Sequence, residues 1–251
     1  MAKSSGLGDN FAIDQYDVGG DVSSINSIAS PLAVQEVPGI TRKAQERIGL
    51  LHDGTMQFAT YFNPDNTAGI EGIHRVLCTL PRTDRQVSWF HGATLGLPAA
   101  SLISKQVNYD GTRADNGAFT FTCQAVGNAW GLDHGVMLTP YRRVDTAATN
   151  GTAVDYGSGS ASVSFGWVAY LHVFAFTGTS VTITLQDSAD NSSFTALTGG
   201  AFTAATGRTS QRLASSSLTA TVRRYVRIAT TGTFSSADFA VNFVRQPVAR
   251  S

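Results

Sequence analysis

The chain has 251 residues, 42% of them hydrophobic, enough for one large or two modest cores. Only 14% are Asp, Glu, Lys or Arg, against about 25% in an ordinary domain. The formal net charge is zero, so no overall field draws in nucleic acid or an anionic membrane. Beyond residue 150, seven Arg face four Asp, too mild an excess for a DNA binder. Cys78 and Cys123 by themselves make neither a disulfide framework nor a zinc site. The longest apolar run, FGWVAYLHVFAF at 165–176, is shorter than the roughly 18 residues of a membrane helix and contains His172. No signal-peptide core precedes it, so a soluble protein made in a cytoplasm is expected.

Strand patterns dominate the first half. PLAVQEV at 31–37 alternates with period two, and TMQFATYF places Met56, Phe58, Thr60 and Phe62 opposite Thr55, Gln57, Ala59 and Tyr61. RQVSWFHG, ASLISKQVNY and GAFTFTCQAV are also strand-like. Residues 99 to 126 read as one hairpin turning through the Asp-, Asn- and Gly-rich DGTRADNG. Ile70, Ile73, Leu77 and Leu80 recur at helical spacing before Pro81, which predicts a helix over 68–80 capped by Asn66 or Thr67. A second, shorter helix candidate is TRKAQERIG at 41–49.

The stretch YRRVDTAATNGTAVDYGSGSASVSFGW, 141–167, changes character halfway. Its Thr, Ala, Asn, Gly and Ser predict a linker at 151–162 that buries little apolar area. Strand-like runs follow near 163–176, 180–186, 193–198, 209–214, 221–230 and 237–246, the rhythm of an immunoglobulin-like antiparallel sandwich. Aromatic residues on both faces of 165–176 imply a central strand covered on each side. The fold class expected is therefore all-β with one or two short helices, divided into a domain at 1–150 and a sandwich at 163–251.

Chemistry is sparse. GxxxxGK, GxGxxG, HExxH, CxxC and GxSxG are missing, and no enzyme class, cofactor or metal is indicated. Glu71 and His74 form one ExxH pair where a di-iron site needs two. Asp187, Asp190 and Asn191 resemble a calcium loop without its central Gly and closing Glu. His52–Asp53 and Asp133–His134 are sequence neighbours beside turn glycines, a poor arrangement for acid–base work. TVRRYVRI puts Arg223, Tyr225 and Arg227 on one strand face, a candidate surface for glycan contact.

Strands such as 55–62 and 99–109 are long, nearly free of charge, and rich in Thr, Ser and Gln on one face. Edges without charge or proline are satisfied most simply by copies of the same chain. SSGLGDNFAIDQYDVGGDVSSINSI, ERIGLLHDGTMQFATYFN and TDRQVSWFHGATLGLPAASLISKQVNYDGTR together resemble the major tail, or tail-tube, proteins of long-tailed bacteriophages. VTITLQDSADNSSFTAL and VRRYVRIATTGTF resemble the sandwich such phages append to structural proteins.

The resemblance implies a β-sandwich or barrel with a flanking helix, assembled in the host cytoplasm as stacked hexameric rings of a virion tail. The bore passes phage DNA without specific binding. An N-terminal arm and a long loop would reach the adjacent ring. Further partners would be tape-measure, tail-terminator and baseplate proteins, with no membrane. Mapped here, the arm is residues 1 to about 25. Contact residues are Phe11, Ile13, Tyr16, Met56, Phe58, Tyr61 and Phe62, and the bore lining is Thr55, Gln57, Thr120, Thr122 and Gln124, with Lys105 out of place. The competing reading is a carbohydrate-binding adhesin or decoration protein acting through the C-terminal sandwich. A polysaccharide hydrolase ranks last, since no paired carboxylates stand out. On the tail-tube reading, truncation after residue 155 should spare assembly, and deleting residues 1 to 20 should leave folded subunits that fail to stack.

Overall fold

Alternating side chains set strands such as 55–61 and near-continuous buried runs set strands such as 167–174, and the result is the all-β architecture the sequence predicts. The structure, a computed structural model, describes residues 5–41, 43–67, 70–157 and 162–246. The first half begins with β1 (Asn10–Ile13), the short β2 (Tyr16–Asp17), β3 (Val22–Ala29), the pair β4 (Leu32–Glu36) and β5 (Arg47–His52), and β6 (Thr55–Tyr61). A two-residue ladder, β7 (Asn66–Thr67) with β8 (Ile70–Glu71), leads into helix α1 (Ile73–Leu77). Then come β9 (Arg85–Phe90), β10 (Pro98–Gln106), β11 (Asp110–Arg113), β12 (Phe119–Gly127) and β13 (Asp133–Met137). The seam supplies β14 (Arg143–Asp145) and β15 (Val154–Asp155). The second half comprises β16 (Ser162–Val163), β17 (Trp167–Ser188), β18 (Thr195–Ala201), β19 (Thr209–Ala214), β20 (Val222–Arg223) and β21 (Tyr225–Arg245).

Fifteen strands join in one sheet whose main path runs β18-β17-β21-β13-β10-β12-β6-β3, so the two halves share a ladder where Val136 meets Phe243 and Met137 meets Asn242. The first core packs Phe11, Ile13, Met56, Phe58, Val76, Leu77, Leu102 and Cys123 between these strands and the helix. The second packs Ala169, Leu171 and Val173 with Val181, Ile183, Leu185, Phe239, Val241 and Phe243. Residues from both ends of β17 and of β21 occupy that one core, so the long β17–β21 ribbon is folded back on itself.

The even-numbered residues of the same segment point the other way. Val168, Tyr170 and Phe174 pack toward the first half, with Ile103, Phe90, Ala99, Met137 and Tyr141 among their neighbours. Every residue from Trp167 to Phe174 is buried. The central strand expected from its two aromatic faces is present.

Between these layers runs a buried polar chain. Asn242 Nδ2 donates to Ser101 Oγ at 2.8 Å, and Ser101 and Ser88 hydroxyls bond at 2.6 Å. Ser88 Oγ then lies 2.8 Å from His172 Nε2, while His172 Nδ1 lies 2.5 Å from the Asp14 carbonyl. A carbonyl only accepts, so Nδ1 carries the proton and Nε2 accepts from Ser88 and from Gln86 Nε2 at 3.1 Å. Burial lowers the His172 pKa from 6.5 to about 4, against the opposing Asp14 hydrogen bond.

Four expectations need correction. The helix spans only Ile73–Leu77: Gly72 is extended, and the Ile73 N–H is taken by the Asp21 carboxylate at 2.9 Å, which fixes the start there, ahead of any cap at Asn66 or Thr67. Residues 68 and 69 of the predicted span lie outside the described residues. Its last carbonyls, on Val76 and Leu77, accept from Arg85 and Gln106. The candidate helix at 41–49 is not formed over its described residues, residue 42 lying outside them; Arg47–His52 is β5, and its backbone pairing with β4 overrides the helical spacing of Ala44 and Ile48. The described part of the expected linker is bound to the sheet as far as Tyr156, residues 158–161 lying outside the described ones: β14 and β15 pair with β21, and Arg224 grips Asp155 with two bonds of 2.6 Å. Backbone pairing holds it despite its poor apolar content. Finally, the turn residues expected between the runs at 163–176 and 180–186 and between those at 221–230 and 237–246 are bends inside continuous strands.

Those bends need glycine. Gly178 and Gly232 have φ of +152° and +129°, and a Cβ on Gly232 would overlap the Ser180 carbonyl oxygen. Gly232→Val is expected to cost about 2–4 kcal/mol in urea unfolding. Gly207→Ala, with nothing within 4 Å of the added carbon, should change stability by less than about 0.5 kcal/mol. Equal effects of the two would remove the bend from the account of the fold.

Candidate functional site: surfaces for assembly

β3 enters the sheet antiparallel to β6, with Ala29 opposite Thr55. Past that point the chain does not turn; Pro31 leads into β4, and β5 returns into β6. The β4–β5 ribbon is thus the β3–β6 pair prolonged beyond the sheet. Every residue of both strands is exposed. Val34, Ile48, Leu50 and Leu51 carry its apolar surface, with Leu51 83% exposed and Ile40, in the connection, wholly so. A lone two-stranded ribbon is marginal in water, and one this apolar is unusual on a monomer. The sequence signal was there in RIGLLH beside PLAVQEV, but the intervening TRKAQERIG reads as helix.

The five residues assigned to a bore do share one surface. Gln57 sits opposite Gln124, and Thr122 and Thr120 face Ala59 and Tyr61, with Thr55 opposite Val126. All are half-exposed except Tyr61, which is exposed, and none is charged. Lys105 lies opposite Val126 on this surface, bound to Asp84 at 2.7 Å, and that contact holds the Asp84 carboxyl below its usual range. The anomalous cation is neutralised within the chain.

Of the seven contact residues, four are corrected. Phe11, Ile13, Met56 and Phe58 are buried in this chain's own core, and the Phe11 and Phe58 rings lie 4.7 Å apart. β1 pairs with β9 over Asn10–Ile13, so residues 10–13 belong to the body and not to a free arm; removing residues 1 to 20 deletes a core strand. Tyr16 is half-buried beneath Arg208, 4.7 Å from its ring. Tyr61 and Phe62 alone among the seven are exposed.

The remaining candidates are occupied locally. Arg223 binds Asp187 through Nε at 3.0 Å and also reaches Thr195, and its pKa is raised by the Asp187 hydrogen bond. Arg227 bonds Gln186 and covers Phe194 at 3.9 Å, while Tyr225 lies under Arg224. Glu71 is held by Arg208 at 2.9 Å, away from His74, which meets Tyr109 and Phe62. Asp190 accepts from the Ser192 and Ser193 N–H groups, which keeps its carboxyl well below the usual range. His52 meets Ser30 while Asp53 turns back to Gly54, and Asp133 is buried against Tyr170 while His134 is exposed. Neither neighbouring pair converges.

Among the described residues no three His, Cys, Asp or Glu side chains gather where they could hold a metal, and no helix is long and apolar enough to cross a membrane. A cavity of about 450 Å³ between the halves is lined by Asp17, Asp21, Glu71, Arg142 and Arg208, whose charges pair with one another and with Asp238 and Asn63.

No protein-family model matches the chain, and no curated protein matches its sequence. Among the solved structures similar to this chain are two at 10% identity. One is the SPP1 Dit protein (gp 19.1), described as a paradigm of the hub adsorption apparatus in phages infecting Gram-positive hosts. The alignment covers 94% of this chain and 98% of that one, with a TM-score of 0.34. The other is a chain of the phage p2 baseplate in its activated conformation with Sr, covering 93% and 97%, with a TM-score of 0.36. At those values neither likeness assigns an activity or a family to this chain.

Proposed function

We propose that this chain is a structural subunit of a long phage tail, polymerising with copies of itself as stacked hexameric rings into the tube through which DNA passes. The observation that carries the reading is the β4–β5 ribbon: an apolar projection, exposed along its whole length, which a second protein must cover. A polar sheet surface on which Lys105 is paired with Asp84, and which would let a polyanion slide past without binding it, supports the same reading. Tape-measure, terminator and baseplate proteins would be its other partners. The carbohydrate-binding alternative is weakened because Arg223 and Arg227 are already engaged within the chain.

Replacing residues 33–51 by Gly-Gly tests this. The shortened chain should keep its melting temperature within a few degrees, since none of the described side chains in 33–51 is buried. Electron microscopy should show tubes for the full chain and none for the shortened one. A full chain that stays monomeric at high concentration, or a shortened chain that still forms tubes, defeats the proposal.

A further inference from the structure

The buried polar chain between the layers has a fixed direction. His172 Nδ1–H donates to the Asp14 carbonyl, so Nε2 accepts from the Ser88 hydroxyl at 2.8 Å. Ser88 Oγ must then accept from the Ser101 hydroxyl across 2.6 Å, and Ser101 Oγ accepts from Asn242 Nδ2 across 2.8 Å. Each hydroxyl proton points toward His172. Ser101, the last hydroxyl of the series, faces a side-chain amide. All four side chains are fully buried, and they stand on β9, β10, β17 and β21, so the series crosses from the first half to the second. Asn242 reaches Ser101 past Gly135 of β13, the strand between β10 and β21; a Cβ on Gly135 would lie 2.5 Å from Asn242 Oδ1. Oδ1 itself has no hydrogen-bond partner among the described residues.

Nδ2 and Cγ of Asn242 are joined by an amide bond of about 1.33 Å, so Ser101 Oγ lies within about 4.1 Å of the amide carbon. Rotation about the Cβ–Cγ bond, a soft torsion, would turn the amide face toward Oγ at the roughly 3–3.5 Å of attack. We propose that Ser101 and Asn242 join in an intramolecular ester that crosslinks the two halves of the chain. Ser101 Oγ attacks Asn242 Cγ, its proton passes to Ser88, and that of Ser88 passes to His172 Nε2. The C–N bond then breaks, the proton returns through Ser88 to the departing nitrogen, and ammonia leaves. No oxidant, metal or co-reactant enters. Burial lowers the His172 pKa, so Nε2 is unprotonated at neutral pH; it is a weak base, but a step made once per molecule can be slow. The same burial excludes the water that would hydrolyse the ester. An ester carbonyl is also a weaker acceptor than an amide's, so leaving Oδ1 unpaired costs less once the bond is made.

Mass spectrometry of the full chain, after prolonged incubation at neutral pH, tests this. The chain should be lighter than its sequence by one ammonia. Trypsin should yield residues 86–105 and 228–245 as one branched peptide, which mild alkali separates. Ser101→Ala should keep its full mass. His172→Gln, shown to be folded by a cooperative melt, should accumulate the lighter form at least about a hundredfold more slowly. A natural chain of full mass overturns the inference. So does the same loss with the two peptides separate, which marks a succinimide at Asn242, and so does a lighter Ser101→Ala chain. An unchanged rate in His172→Gln overturns the relay.

Discussion

A chain ending at Asp155 is expected to be insoluble or unfolded, not a competent first half. The cut removes β17 and β21, and with them the cover over Phe90, Ala99, Met137 and Tyr141. It also strips partners from Gln86, Ser101 and Asp133, which bond Leu171, Asn242 and Tyr170 across the layers. β13 loses its neighbour on one side. Uncovering each large apolar side chain costs about 2–5 kcal/mol, and each buried polar group left unpaired about 1–3. Three of the former (Phe90, Met137 and Tyr141) and three of the latter together match or exceed most of the roughly 5–15 kcal/mol that keeps a domain folded. Circular dichroism during heating checks this. A cooperative melt from the shortened chain would mean that the halves are independent, as the linker-like composition of 151–162 predicts.

Lowering the pH from 6.5 to 4 is expected to remove about 3 kcal/mol of stability through His172 alone. The imidazole is buried and its pKa lies at about 4 against 6.5 in the open chain; 2.5 units at about 1.36 kcal/mol each give that figure. Unfolded chains take up the proton across this window and folded ones do not, so stability is complete above 6.5 and lost as pH falls through the folded value. Structure explains the resistance: Nε2 already accepts from Ser88 and from Gln86, and the Gln86 amide is held in that orientation by its second bond, to the Leu171 carbonyl at 2.9 Å. Asp14 runs in the opposite sense. Burial raises its carboxyl, despite the Gln86 N–H and Arg85, so it takes up a proton more readily when folded and offsets part of the loss at the acidic end. Urea midpoints at pH 7, 5.5 and 4.5 should fall in order for the natural chain. His172→Gln should start lower and stay level. An equal slope in both would detach acid sensitivity from this residue.

Much of the fold is legible from residue order. The alternation of 55–62, 85–90 and 100–106 identifies strands, and the two-sided aromatics of 165–176 identify the layer covered on each side. What pattern does not reveal is where a turn is not a turn. Gly178 and Gly232 have the composition of loop residues, yet they bend continuous strands, because a bulge and a hairpin draw on the same backbone freedom. Phe11 and Ile13 meet β2 a few residues on, but the strand that carries β1 into the sheet is β9, more than seventy residues away. Pairings at that separation leave no local trace. For the assembly surface, the polar face of β6 and β12 follows from period two, whereas the ribbon is obscured by the helix-like run between its strands.

The crossing of β13, β14, β15 and β17 onto β21 has a consequence for how such a chain changes over generations. If the shortened chain fails to fold, as expected, a gene that acquires or sheds the distal segment by one recombination at codon 155 would not yield a working product at once. Relatives lacking that segment would be expected to carry, in the same lineage, polar replacements at Phe90 and Met137 and a different resident at Gln86.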